Sequence, residues 1–184
     1  MRRYILTGTP GSGKTAILRQ LELAGIGVVE EAATDVIALR QAEGVEEPWR
    51  EPGFIDAIAQ LQKLRLERAS GAPDALQFHD RSLVCTQVLA AYLGVEEPEN
   101  LSLEVQHVLR EAIFEKTVFF IRSLGFVRPT AARRISFEES LRFEQMHEQA
   151  YREAGFELEF VEAGSVAERA AAILGTIRQH RTPC

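Results

Sequence analysis

The chain is poor in cysteine, has no apolar stretch of membrane length and contains no low-complexity linker, and each shortage closes off a class of protein. Two cysteines in 184 residues, Cys85 and Cys184, are too few and too far apart to staple a small secreted scaffold, and a reducing cytoplasm is the expected compartment. Cys85 reads as a small buried apolar residue rather than a nucleophile, because no histidine stands near it in sequence. The longest purely apolar runs, such as Val118-Phe119-Phe120-Ile121, are strand-sized against the roughly 20 residues that a membrane span takes. Met1 to Gly8 carries two arginines but too short an apolar stretch for a secretion signal, so no membrane partner is expected. A net charge of −6 and a pI near 5.3 argue against a surface that coats nucleic acid. His79, His107 and His147 lack metal-ligand spacing, which leaves a zinc site unsupported.

What is present is the pattern of one α/β domain over residues 1–184, large enough to bury about 70% of the surface its unfolded form exposes. Five short apolar segments, at about 3–7, 26–30, 76–80, 117–122 and 156–161, alternate with longer helical patterns. That alternation predicts a five-stranded parallel sheet with helices on both faces, its strands buried on both sides. Residues 53–70 predict a helix whose inner face carries Phe54, Ile58, Leu61 and Leu64. A second amphipathic helix over 137–154 places Phe143, Met146, Ala150 and Ala154 on its core stripe. Ser136 with Glu139 and Ser165 with Glu168 have the spacing of capping boxes. Gly-Val-Glu-Glu-Pro occurs at both 44–48 and 94–98, but the flanks differ, so it is punctuation after helix ends rather than a repeat.

The chemistry begins at Gly8-Thr9-Pro10-Gly11-Ser12-Gly13-Lys14-Thr15, which fits the phosphate-binding pattern G-x-x-x-x-G-K-[ST] between a strand and a helix. Gly8, Gly11 and Gly13 permit the dihedrals that curl consecutive amides around a phosphate, and Pro10 stiffens the turn. The helix opening near Lys14 adds unpaired N–H groups and the positive end of its dipole. Lys14 is placed to reach the β- and γ-phosphates of ATP, and Thr15 supplies a hydroxyl for Mg2+.

Whether the γ-phosphate goes to water or to another molecule turns on a second acidic element, Leu76-Gln77-Phe78-His79-Asp80-Arg81-Ser82. Asp80 closes the third strand at the carboxyl edge, where ligands sit in an open α/β sheet. Motor ATPases usually follow such an Asp with a Glu that positions water; here Arg81 follows, which favours phosphoryl transfer. The guanine-reading N-K-x-D sequence is also absent, which argues against a GTPase switch. Two readings stand: a phosphotransferase with a small-molecule acceptor, nucleoside- or nucleotide-like, and a slow ATPase acting as a nucleotide-dependent regulatory or binding module.

Gly8 to Thr15, Val28-Val29-Glu30-Glu31-Ala32-Ala33-Thr34, His79-Asp80-Arg81-Ser82 and Arg133-Arg134-Ile135-Ser136-Phe137-Glu138-Glu139 together resemble the bacterial predicted ATPases grouped with ribosylnicotinamide-kinase-like P-loop kinases. The family carries an AAA label, but no C-terminal helical domain or second acidic Walker residue is present to imply ring formation. The resemblance implies that Asp80 is the general base for an acceptor hydroxyl or a magnesium-organising carboxylate, and that Arg81 holds a phosphate or substrate oxygen. It makes Glu31 an acidic substrate or metal contact, in competition with Glu30 and Asp35. Alternation along a strand sends Glu30 and Glu31 to opposite sides, so at most one reaches the cleft, while Thr34 and Asp35 are also explained as helix caps.

Arg128, Arg133 and Arg134 fall at about 125–137, where P-loop kinases carry a lid that closes over the β- and γ-phosphates. Gly164 and Ser165 are candidates to pass beneath the adenine, and equally a turn with a cap. Trp49, Phe54 and Tyr92 could roof an acceptor pocket but fit core positions better. The pocket segments around 32–60 and 82–115 hold no diagnostic polar constellation, and no feature fixes an oligomeric state.

Overall fold

A computed structural model of the chain describes residues 1–123 and 137–179. Arg128, Arg133, Arg134 and the rest of the candidate lid up to Ser136 lie outside the described residues. The order of elements is β1 (Arg2–Gly8), α1 (Lys14–Leu23), β2 (Gly27–Val29), α2 (Ala32–Ala42), α3 (Phe54–Ser70), β3 (Leu76–Asp80), α4 (Leu83–Leu93), α5 (Glu99–Arg110), β4 (Thr117–Ile121), α6 (Phe137–Glu153), β5 (Glu157–Val161) and α7 (Val166–Gln179). All five expected strands are present, the first extended and the second, fourth and fifth trimmed at their ends.

The strands form one parallel sheet in the order β2-β3-β1-β4-β5, so every strand delivers its carboxyl end to the same edge. β1 lies in the middle, and the sheet grows to either side of it, which opens a crevice at its end. In register, Leu6 lies beside Asp80 and Gly8 beside Ile121, so the phosphate loop leaves β1 flanked by the ends of β3 and β4. Gly8 has φ 134°, and a Cβ built there would collide with the main-chain oxygen of Ile121. Only glycine lets the two backbones approach so closely.

Alternation along the buried strands feeds two cores. Tyr4, Leu6, Phe78, Phe119 and Ile121 face α1 and α7, where Ile17, Leu21, Ile173 and Ile177 complete one layer. Ile5 and Val118 face the opposite layer, built with Val36, Phe54, Ile58, Leu83, Leu101, Val105 and Tyr151 from α2 to α6. Of the expected inner face of α3, Phe54 and Ile58 are buried and Leu61 packs on the core, but Leu64 is 40% exposed, and Ile55 and Ala59 are buried as well. On α6 the buried stripe runs through Phe143, His147 and Tyr151 at spacings of four, with Met146, Ala150 and Ala154 only half-buried. No helix among the described residues is long and apolar enough to cross a membrane.

Candidate active site

The loop from Gly8 to Gly13 turns on positive φ at Gly11 (87°) and Gly13 (88°), and α1 starts at Lys14 without a capping side chain. Its first N–H groups therefore face the loop as donors for an anion. Lys14 is folded into the loop, its Nζ donating to Gly8 O at 3.1 Å and Thr9 O at 3.0 Å. Burial and the Arg81 charge lower its ammonium to about 8, against the pull of Asp80 and Glu31. From behind, Arg169 on α7 braces the turn, donating from Nη1 to Ser12 O at 2.8 Å and from Nη2 to Arg122 O at 3.3 Å. Sequence reading passes over Arg169, yet its signal is legible: a charge four residues before Ile173 and eight before Ile177 on one apolar stripe.

Asp80 ends β3 beside the loop, 6% exposed, and its Oδ1 has no hydrogen-bond partner among the described residues. Burial raises its carboxyl to about 6, opposed by Lys14 and reinforced by Glu31. A buried carboxylate oxygen with spare acceptor capacity, next to the charge of Lys14, suits a hard cation that binds oxygen. The residues fit Mg2+.

Across the crevice, Arg81 Nε donates to Glu31 Oε1 at 2.6 Å. The Arg81 side chain is 9% exposed and that of Glu31 25%. Burial pushes the Glu31 carboxyl up, but Arg81, Lys14 and the Thr34 hydroxyl overcome it and leave it at about 2. Thr34 Oγ1 donates to Glu31 Oε2 at 2.7 Å, so Thr34 serves Glu31 rather than the end of α2. Glu30, which like Glu31 lies just past the end of β2, points the other way and pairs with Arg19. Arg65 on α3 fixes this turn: its Nη1 donates to Glu30 O at 3.0 Å and Glu31 O at 2.7 Å, while Nη2 pairs with Asp35. Asp35 is thereby engaged outside the cavity, and of the three candidate acids after β2 only Glu31 lines it.

A cavity of about 420 Å3 runs from Pro10, Gly13, Lys14 and Thr15 past Glu31 and Arg81 to a wall of Ile37, Ile58, Leu89 and Phe143, with Asp80 outside its lining. Beyond the ion pair and the phosphate loop its polar lining is Thr34, Cys85, Gln62 and Thr86, with Thr86 Oγ1 donating to Gln62 Oε1 at 2.7 Å. Behind Arg81 sit His147 and Tyr151, two residues that sequence reading leaves without a role. Arg81 Nη1 donates to His147 Nε2 at 3.3 Å, and His147 Nδ1 donates to Phe143 O at 2.8 Å. A histidine and a tyrosine on the Phe143 stripe of α6 were the available signal.

Of the remaining candidates, Ser165 closes a capping box, its Oγ donating to Glu168 Oε2 at 2.7 Å and accepting from Glu168 N at 3.3 Å, and it lies with Gly164 outside the cavity lining. Trp49 packs on the core, Phe54 is buried in it, and Tyr92 meets the Phe143 ring at 4.8 Å between centroids. Phe143, not these three, reaches the cavity.

Solved structures of P-loop kinases share the architecture. A deoxyadenosine kinase from M. mycoides, solved with dCMP and dCDP, superposes with a TM-score of 0.59 at 13% identity, covering 96% of this chain and 99% of that one. A thymidylate kinase from Candida albicans gives 0.59 at 9% identity, covering 98% and 92%. NadR protein in complex with NAD and AMP-PNP gives 0.69 at 15% identity over 100% of this chain but 50% of NadR, so the chain spans about half of that protein's length. At these identities the likeness establishes a nucleotide-kinase-like fold. A search of curated proteins finds no match. The family model described as AAA domain matches residues 3–169, nearly the whole described fold from β1 into α7, and the chain belongs to that P-loop family.

Proposed function

We propose that the chain is a magnesium-dependent phosphotransferase that moves the γ-phosphate of ATP to a small nucleoside- or nucleotide-like acceptor. The observation that carries this is the continuous cavity, with the phosphate loop at one end, an apolar wall at the other and the Glu31–Arg81 pair between them. Its volume, about 420 Å3, is that of a site for a compact organic molecule. A switch that only hydrolyses ATP has no use for such a chamber.

In this reading the loop amides and Lys14 hold the β- and γ-phosphates. Asp80 and Thr15 hold Mg2+, which when bound neutralises charge on those oxygens. Glu31 accepts a hydrogen bond from the attacking hydroxyl and takes its proton late in transfer; a carboxyl held near 2 is a weak base, adequate because the transition state is loose. Arg81, fixed by Glu31 and His147, offers its remaining N–H groups to the transferring or acceptor oxygens. Asp80 thus organises metal and Glu31 meets the acceptor. The apolar wall keeps water from competing, and Arg133 and Arg134, which lie outside the described residues, are assigned the stabilisation of charge on the transferring phosphoryl group.

The test is ADP release from Mg-ATP, alone and with a panel of nucleosides, nucleotides and vitamin alcohols. Strong stimulation by one compound, with its phosphorylated form as product, is the expected outcome. Turnover that stays the same in every mixture would leave the slow ATPase module as the function.

A further inference from the structure

Among the described residues the buried lysine and arginine side chains are Lys14 and Arg169, and neither stands in an ion pair. The other cations near the site are matched: Arg81 meets Glu31 at 2.6 Å and Arg122 meets Glu144 at 2.8 Å. Arg169 is 3% exposed, donates from its two terminal nitrogens to the main-chain oxygens of Ser12 and Arg122, and keeps an Nε with no partner among the described residues. Burial draws its titration down, yet a guanidinium stays protonated at neutral pH. A buried cation is costly to hold until an anion comes to it. For Lys14 that anion is the triphosphate, and Arg169 lies against the back of the same loop.

Ser12 O and Gly13 N–H belong to one trans peptide unit, so they point in opposite directions. Arg169 holds the carbonyl end at 2.8 Å, while Gly13 lines the cavity and Ser12 does not, which turns the N–H end toward the cavity. That N–H donates to no group among the described residues, and it belongs to the residue that precedes α1, at the positive end of the helix dipole. A charged donor on the carbonyl oxygen draws electron density through the peptide and makes its N–H a stronger donor. We propose that Arg169 is a positioning residue for phosphate binding that acts through its charge, polarising the Ser12–Gly13 peptide from behind the loop so that Gly13 N–H grips a phosphate oxygen. The proposal rests on the loop holding a triphosphate and not on where the γ-phosphate goes.

The same side chain is also a mechanical tie. Its second arm reaches Arg122 O just past β4, and the Arg122 side chain is fixed in turn by Glu144 and by the Phe160 ring, whose centroid lies 4.0 Å from Cζ. Charge and bracing therefore have to be separated, and they part at lysine and glutamine. Lysine keeps the charge but loses the planar fork that spans two carbonyls, whereas glutamine keeps a donor for Ser12 O and loses the charge. The experiment uses the full chain and its Arg169→Lys, Arg169→Gln and Arg169→Met variants, each shown to be folded by circular dichroism and by its urea midpoint. Calorimetry with magnesium tripolyphosphate and with Mg-ATP reads the loop with and without the rest of the nucleotide. Arg169→Gln and Arg169→Met should bind both ligands about tenfold to a hundredfold more weakly, by the same factor for each, because the nucleobase takes no part. Arg169→Lys should stay within about fivefold of the wild type.

Three results would overturn the proposal. Tripolyphosphate affinity within twofold of the wild type in Arg169→Gln would show that the charge is idle. Arg169→Lys as weak as Arg169→Met would make the residue a brace and nothing more. A loss confined to ATP, with tripolyphosphate unaffected, would place its action on the nucleoside. Wild-type chain that binds neither ligand would sink this proposal together with the nucleotide reading, whereas firm binding of both with no acceptor ever phosphorylated would remove the phosphotransferase alone and leave the role of Arg169 to the variants.

Discussion

The two ends of the cavity are built on opposite principles. At the phosphate end, residues 8–15 are contiguous, and the donors are main-chain amides placed by glycine dihedrals and the start of α1. At the acceptor end, Glu31, Ile37, Ile58, Gln62, Arg81, Leu89 and Phe143 come from the turn after β2, from α2 and α3, from the turn after β3, from α4 and from α6, and they act through side chains. A backbone cradle reads charge and is indifferent to what carries the phosphate, whereas a wall of side chains reads shape and can be rebuilt one residue at a time. Damage at the first end should therefore be total and damage at the second selective.

Lys14→Ala strikes the shared end and should lower turnover by on the order of a thousandfold, with a large loss of Mg-ATP affinity by calorimetry. Wild-type affinity in that variant would break the contrast. Arg81→Lys keeps the charge but loses the planar fork that meets Glu31 and His147; a fall of roughly a hundredfold in acceptor-dependent turnover, with ATP affinity nearly unchanged, is expected.

A smaller effect concerns stability. The Asp80 carboxyl rises on folding from 3.8 to about 6, so the folded chain binds the extra proton and this group's stabilising contribution is lost as pH rises through about 6. Lys14 falls from 10.5 to about 8, so stability from that group is recovered only as pH rises above about 8. Glu31 works in the opposite sense to Asp80, contributing above about 4.5 and losing its contribution toward about 2. Between about pH 6 and 8 the nucleotide-free chain thus carries both desolvated charges, a cost that Mg-ATP binding repays. Asp80→Asn should raise the urea midpoint at pH 7 by an amount worth roughly 1–3 kcal/mol and abolish transfer while sparing ATP binding. A lower midpoint, or retained transfer, would show that Asp80 is a structural ion pair.

The smallest expected change sharpens the comparison at the acceptor end. Arg65→Ala frees the turn that carries Glu31 and should raise the acceptor KM several-fold, with a stability loss of about 1–2 kcal/mol and no change in ATP affinity.

Legibility followed the same division. The phosphate loop, the five strands and the placement of Asp80, Arg81 and Glu31 at one sheet edge were readable, because each depends on neighbours within a few residues or on strand alternation. Gln62, Cys85, His147 and Tyr151 were not, because Cys85 and Tyr151 stand 66 residues apart and meet only when α6 packs on α4. The helical stripes were readable at Phe54, Ile58 and Phe143 and failed at Leu64 and Met146: on α6 the buried positions also include His147, which meets Arg81, a partner that no apolar period announces.

Arg81 has φ 70°, and with Ala112 it is one of two non-glycine residues among those described whose backbone is left-handed. That conformation costs an arginine on the order of 1 kcal/mol, and glycine adopts it freely. Relieving that strain does not make the chain sturdier, because glycine at 81 would leave the Glu31 carboxylate without the guanidinium that meets it at 2.6 Å, a loss of roughly 3–5 kcal/mol that outweighs the strain. The bend in the main chain is thus held in place by the charge pair it permits, and a left-handed residue without the guanidinium should return chains that are both idle and easier to melt.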